Sequence, residues 1–241
     1  MIVYPWGAAG SSVETRVNAH PRVQSVNVGA PRDYIWLGRP LRSSIDKSPV
    51  AGPVRVLADH LEGDQQSDLN QHGGPDKSVY AYSAEDYAWW TQEMAADVPP
   101  GRFGENLTTT GLDLRTAVIG EQWQIGSTVL QVSEPRTPCW KLGMRMEDKL
   151  FPRRFAAAGR PGVLLRVLQQ GSLQAGDEID VRGRPAHAIT ALDVFEAYRG
   201  DEVDVVARMA APELAAHWRE WVNKRTIWHL DEERRRRELN G

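Results

Sequence analysis

Apolar residues in the first part of the chain recur in short bursts with a period near two, each burst ended by glycine or proline. Val23, Val26 and Val28 mark a strand that ends at Gly29, with imperfect alternation between Arg22 and Val28. Tyr34 to Leu37 and Leu41 to Ile45 form a short hairpin around Gly38-Arg39-Pro40, and Gly52 to Ala58 places Val54, Val56 and Ala58 on one face of another strand. Further strands are expected at Ser78 to Tyr82, Gly162 to Leu168 and Asp177 to Arg182, with a hairpin of Gln122 to Ile125 and Thr128 to Ser133 about Gly126. Between the two late strands, Gly171 to Gly176 is a turn region. Short strands at turn-punctuated intervals are the mark of a barrel or sandwich, not of a doubly wound sheet.

Helical spacing appears in fewer places. Ser83 caps a helix carrying Tyr87, Trp90 and Met94, and Pro99-Pro100 stops it. Phe151 to Ala158 suits a short helix ending at Gly159. Thr190 caps Ala191 to Arg199, Glu202 to Arg208 forms another short helix, and Pro212 opens an amphipathic helix with Leu214, Trp218, Trp221 and Val222 on one side. The pattern predicts a mainly β fold: an N-terminal extension over 1–21, a β-barrel domain with peripheral helices over 22–185, and a small C-terminal helical subdomain over 186–241. The run Asp231-Glu232-Glu233-Arg234-Arg235-Arg236-Arg237 reads as a solvated helix end or tail, because acidic residues precede the basic ones.

Composition narrows the function classes. With 241 residues the chain can bury a sizeable core, and 41% hydrophobic with 25% charged residues is ordinary for a globular protein. A net charge of -3 gives no reason to expect binding to a nucleic-acid polymer. One cysteine forms no internal disulfide, which fits a reducing compartment. No apolar run reaches the roughly 20 residues that span a bilayer. Met1 to Ala9 lacks the basic start of a signal peptide. The expectation is a cytoplasmic protein without membrane contact, its oligomeric state left open, a homodimer included.

The single cysteine, Cys139, lies in Ser133-Glu134-Pro135-Arg136-Thr137-Pro138-Cys139-Trp140-Lys141-Leu142. Pro135 and Pro138 forbid a continuing central strand, so the sulfur is expected on a stiff loop just past a strand end. Arg136 and Lys141 flank it, and nearby positive charge favours the thiolate that attacks electrophiles and binds metals. A free cysteine is also a good small core hydrophobe. A long polar stretch, His60 to Lys77, ends in His72-Gly73-Gly74-Pro75-Asp76-Lys77, which sets His72, Asp76 and Lys77 just ahead of a strand. That stretch is either a functional loop or a solvated turn. Phe103-Gly104-Glu105-Asn106-Leu107-Thr108-Thr109 is a second polar sequence.

Three chemistries remain open on the residues alone. Zinc has one cysteine and no paired His or Cys spacing to support it. Cys139 with His72 or His60 would make a nucleophilic pair. Alternatively, Cys139 is one soft ligand to a metal whose other ligands come from an organic cofactor. Lys77, Arg136, Lys141 and Arg145 would then supply cations for a phosphate, and Asn106 with the Gly73-Gly74 backbone would supply hydrogen bonds.

Asp64 with Asp68, the His72-to-Lys77 run, Phe103-Gly104-Glu105-Asn106-Leu107 and the Pro135-to-Leu142 run, taken in that order, resemble the MOSC domain family, named for the C-terminal domain of molybdenum cofactor sulfurase. The order and spacing are most similar to its stand-alone YiiM-like branch, from about Arg22 to Arg182. The resemblance implies a MOSC-type β-barrel that binds the molybdenum–pterin cofactor (molybdopterin), with Cys139 as the molybdenum ligand and catalytic residue. It implies His72, Asp76, Lys77, Asn106, Arg136 and Lys141 as further cofactor contacts, His72 being alternatively a hinge. The implied activity is reduction of N-hydroxylated compounds, including N-hydroxylated purines and amidoximes. Electrons would come from an external flavin or iron–sulfur reductase, since one cysteine cannot ligate a cluster within the chain. A carrier of cofactor or sulfur without turnover is the competing expectation, and a metal-free thiol enzyme the third.

Overall fold

A computed structural model describes residues 20–66, 73–200 and 211–225. Residues 1–19 of the extension expected over 1–21, His72, the helix expected at Glu202 to Arg208 and the charge run from Asp231 lie outside these residues. The described chain carries twelve strands: β1 (Arg22–Val28), β2 (Arg32–Trp36), β3 (Arg39–Ser43), β4 (Ser48–Pro49), β5 (Val54–Val56), β6 (Val79–Ser83), β7 (Leu107–Thr110), β8 (Gln122–Ile125), β9 (Thr128–Pro135), β10 (Val163–Gln169), β11 (Gly171–Leu173) and β12 (Ile179–Arg182). The helices are α1 (Ala84–Met94), α2 (Trp140–Arg145), α3 (Phe151–Ala157), α4 (Ala191–Arg199) and α5 (216–225). None of them is long and apolar enough to cross a membrane.

Eight strands form one mixed sheet in the order β12-β8-β9-β10-β6-β7-β1-β4, with β6 and β7 the parallel pair. The fold is mainly β, but the expected closed barrel does not form. β7 takes one edge of β1 and β4 takes the far end of the other, pairing Asn27 with Pro49. Only Pro21 to Val23 remain to meet the approach to β12, through a single bridge between Arg22 and Glu178 and hydrogen bonds such as Val23 N to Asp177 O at 2.9 Å. The sheet curls toward itself and stops short of closure.

β1 alternates imperfectly because its register against β7 shifts between Val23 and Ser25, a bulge that brings Val23 and Val26 both inside. The hairpin sits slightly earlier than the sequence suggests, at β2 and β3. Its two-residue turn is Leu37-Gly38, both with positive φ (50° and 75°), as a type I′ turn requires. Gly52 to Ala58 shrinks to β5, which pairs with β11. β9 runs through Pro135, contrary to the expected break. The register against β10 shifts next to it, between Leu164 and Leu165, and Pro135 is the final residue of the strand.

β6 is buried on both faces and divides the interior. Val79 and Ala81 join an aliphatic core with Leu107, Ile125, Leu130, Val163 and Leu165. Tyr80 and Tyr82 point the other way, into an aromatic cluster with Tyr87 and Trp90 of α1, Phe103, and Phe151 and Phe155 of α3. The C-terminal helices bring Ala191, Val194, Leu214, Trp218 and Val222 into the aliphatic core. Thr190 caps α4, as read from the sequence, and the structure adds a reciprocal box with Asp193. α5 begins at 216, not at Pro212, because its Ala216 N–H is met from across the fold by Asp76 Oδ2 at 3.2 Å.

Ser83 Oγ caps α1 by accepting from Asp86 N. The helix ends at Met94, earlier than Pro99-Pro100 would stop it, because Ala95 adopts a left-handed conformation (φ 50°, ψ 35°) and closes the last turn. A β-carbon there is strained and a glycine is not. Ala95→Gly is expected to stabilise the protein by about 1 kcal/mol or slightly less, whereas Trp90→Ala, which empties the aromatic cluster, should cost about 3–5 kcal/mol. Chemical denaturation of both variants checks this pair of opposite signs.

Candidate functional site

One pocket of about 420 Å³ opens beside β6, and its wall gathers residues far apart in sequence. Cys139, Lys77, Asn106, Arg136 and Lys141, five of the seven residues singled out from the sequence, line it together. His72 lies outside the described residues. Asp76 is turned elsewhere: its carboxylate pairs with Arg166 Nε at 2.9 Å and accepts from the first turn of α5. It lines a neighbouring recess with Gly73, Gly74 and His217.

The cysteine occupies the position the prolines dictate. β9 ends at Pro135, three residues follow, and Cys139 is the extended residue that starts α2, half-buried and making no side-chain cap to the helix. The short loop brings Arg136 inward. Its guanidinium lies 5.3 Å from the ring centres of both Tyr80 and Phe155, held by the π faces of the aromatic cluster. Nη1 of that group is buried without a hydrogen-bond partner. Lys141 is buried on α2 and Lys77 closes the short 3-10 turn Pro75–Lys77.

Further along the lining, Lys47 was not legible as a site residue. Lys47 Nζ lies 2.5 Å from both oxygens of Asp64, and the two side chains are only 10% and 2% exposed. Burial pulls the Lys47 ammonium below its ordinary range, and the Asp64 charge pulls it back up. Asp64 also accepts from Gly29 N at 2.8 Å and from Asn106 Nδ2 at 2.9 Å. Asn106 spends the rest of its amide on the scaffold: Oδ1 accepts from Tyr80 N at 3.1 Å, and Nδ2 reaches Asn27 O at 3.3 Å. The glycine two positions before it is required, since Gly104 has φ +81° and an added β-carbon would sit 2.8 Å from Ile45. Glu105 is wholly buried and accepts from Tyr87 Oη (2.7 Å), Gly101 N (2.6 Å) and Thr108 Oγ1 (2.9 Å); burial pushes its carboxyl up.

Glu134 and His217 complete the wall. Glu134 Oε2 accepts from Trp218 Nε1 at 2.5 Å and faces His217 Nε2 at 3.1 Å, while Oε1 is buried with no partner. Glu134 stands in the proline-framed stretch, so proximity to Cys139 was its one available signal. His217 gave none, because Trp218 beside it reads as the apolar face of a helix. Lys47 likewise sits in an unremarkable polar segment. Among the described residues no three His, Cys, Asp or Glu side chains gather into a metal-holding set. The pocket therefore offers one soft sulfur donor, four cations (Lys47, Lys77, Arg136 and Lys141) and two carboxylates, Asp64 already paired with Lys47 and Glu134 with one open oxygen.

Comparison with known proteins agrees with this layout. YflK of Bacillus subtilis (strain 168) is 35% identical over 162 residues, covering 67% of this chain and 73% of YflK. A protein named "Reductase" from Gibberella moniliformis is 35% identical over 153 residues, which is 62% of this chain but only 27% of that one. The crystal structure of YiiM from Geobacillus stearothermophilus superposes with a TM-score of 0.71 at 30% identity, covering 86% of this chain and 99% of YiiM. The MOSC domain itself matches residues 68–180, the span that holds Lys77, Asn106, Arg136, Cys139 and Lys141. The chain belongs to the MOSC domain family and is YiiM-like within it.

Proposed function

We propose that the protein binds the molybdenum–pterin cofactor and uses it to reduce N-hydroxylated compounds, with electrons supplied by a separate redox protein. The observation that carries this reading is the presence in one pocket of a half-buried sulfur, Cys139, and of Arg136, whose Nη1 is buried without a hydrogen-bond partner. A buried donor without an acceptor is costly, and an anionic group in the pocket would satisfy it. The residues fit the cofactor on three further counts. The volume lies in the range of small-molecule sites. The cations suit a phosphate-bearing ligand, and a single thiolate suits a metal that brings its other ligands with it.

Cys139 would hold the metal, and the cofactor, when bound, supplies two-electron redox chemistry at that metal. Arg136, stacked on Tyr80 and Phe155, would fix the anionic end with its fork already oriented, and Lys77 and Lys141 would add charge from either side. The Asp64–Lys47–Asn106 network keeps its own part of the lining rigid. Support for a reductase also comes from the relative of that name, and support for the cofactor from the MOSC assignment. Cytoplasmic location and reductase partners of flavin or iron–sulfur type belong to the same proposal.

Cys139→Ala is expected to lose bound molybdenum, or its turnover, while melting like wild type, because the cysteine side chain makes no cap to α2. Elemental analysis of protein made in a host that synthesises the cofactor checks this; equal metal and equal activity in both proteins would remove Cys139 as ligand. Lys77→Glu should shed cofactor in gel filtration while changing the stability of the cofactor-free form by no more than about 1 kcal/mol. Retention equal to wild type would return Lys77 to the scaffold. The loaded protein should be inactive with a nicotinamide cofactor alone, and should convert an N-hydroxylated purine or an amidoxime to its amine with reduced viologen or a flavin reductase under anaerobic conditions. Loaded protein that accepts electrons, reduces none of a broad panel and passes its cofactor to an apo-enzyme would instead be a carrier.

A further inference from the structure

Glu134 has no place in the cofactor contacts above, and of the two carboxylates that line the pocket it is the one not paired with a lysine. Its side chain is 3% exposed. Oε2 is fixed by Trp218 Nε1 and faces His217, whose ring is half exposed, so the carboxylate cannot turn away without breaking a bond to α5. Oε1 is buried and accepts nothing. The next residue, Pro135, has no N–H to offer it. An ionised carboxylate only accepts hydrogen bonds, so the missing partner is a donor. Tyr80 and Phe103, both buried, line the same pocket.

The geometry points to Glu134 as the subsite that takes the N–H edge of an amidine-type group, an N–C–N unit carrying N–H donors on a planar ligand. This deepens the reductase proposal and rests on it for its biological meaning. Two sources present that chemistry: the substrate and its amine product, which are amidines or aminopurines, and the aminopyrimidine ring of a pterin. In either case α5 becomes part of the site, because Trp218 and His217 hold the reading carboxylate in place from the C-terminal helix.

Calorimetry on the full-length chain, cofactor-loaded and cofactor-free, with benzamidine as probe and benzamide as its less donor-rich control, tests the subsite. Cofactor-free wild type should bind benzamidine at least about tenfold tighter than benzamide, through a charge-assisted bond, and Glu134→Gln should abolish that preference. Glu134→Asp, which keeps the charge but withdraws it by one methylene, should fall between them and decides the matter if Glu134→Gln does not fold. No benzamidine binding to wild type, or equal preference in wild type and the variants, would overturn the proposal. If the loaded protein still binds benzamidine, the substrate is the source. If loading blocks the probe and Glu134→Gln loses pterin, the cofactor ring is the source. The probe needs no turnover, so Glu134-dependent binding in a protein that reduces no N-hydroxylated compound would sink the reductase reading alone.

Discussion

The pocket depends on the carboxylate of Asp64. It lies almost wholly buried and collects the Lys47 ammonium, the Gly29 amide and the Asn106 side-chain amide at one point. Those partners come from the segments after β3 and β1 and from the entry to β7, so one charge ties three loops into a wall. A buried ion pair of this kind gains little over a hydrophobic substitute, but removing one member leaves an uncompensated charge and costs about 3–5 kcal/mol. Asn106 extends the tie into the sheet by acting as a piece of strand. It pairs with Tyr80 through side chain and backbone, and its carbonyl accepts from Asn27 N at 2.7 Å.

β6 carries the consequence to the far side. Its alternation sends Val79 and Ala81 into the aliphatic core and Tyr80 and Tyr82 into the aromatic one, so the strand beneath the pocket cannot shift without disturbing both. Tyr80 is the link between packing and chemistry. It holds β6 through Pro161 O at 3.0 Å and presents its ring to Arg136. Among the described residues the cation is thus positioned by aromatic packing and not by a counter-ion, which leaves its charge available to a ligand. Glu134, two residues before Arg136, is positioned by Trp218, a residue whose indole is otherwise core. Opposite charges, each set by an aromatic side chain, give the pocket an oriented polarity.

What the sequence by itself determined was local. The prolines around Cys139 place it on a stiff turn past a strand end, the Ser83 and Thr190 caps start their helices, and valine-rich bursts become strands, because each depends on backbone sterics or on partners within a few residues. The convergence of Lys77, Asn106, Arg136, Cys139 and Lys141 was also legible, as an ordered set of motifs. Tertiary structure decided the rest. Whether the sheet closes depends on which segment occupies the second edge of β1, a competition between β4 and the approach to β12 that no local pattern encodes. The start of α5 is set by Asp76 from 140 positions away, and Lys47, Glu134 and His217 become site residues only because loops and a helix distant in sequence meet over β6. Long-range pairing and burial assign those roles, and a side chain's partners across the fold are invisible in its immediate neighbours.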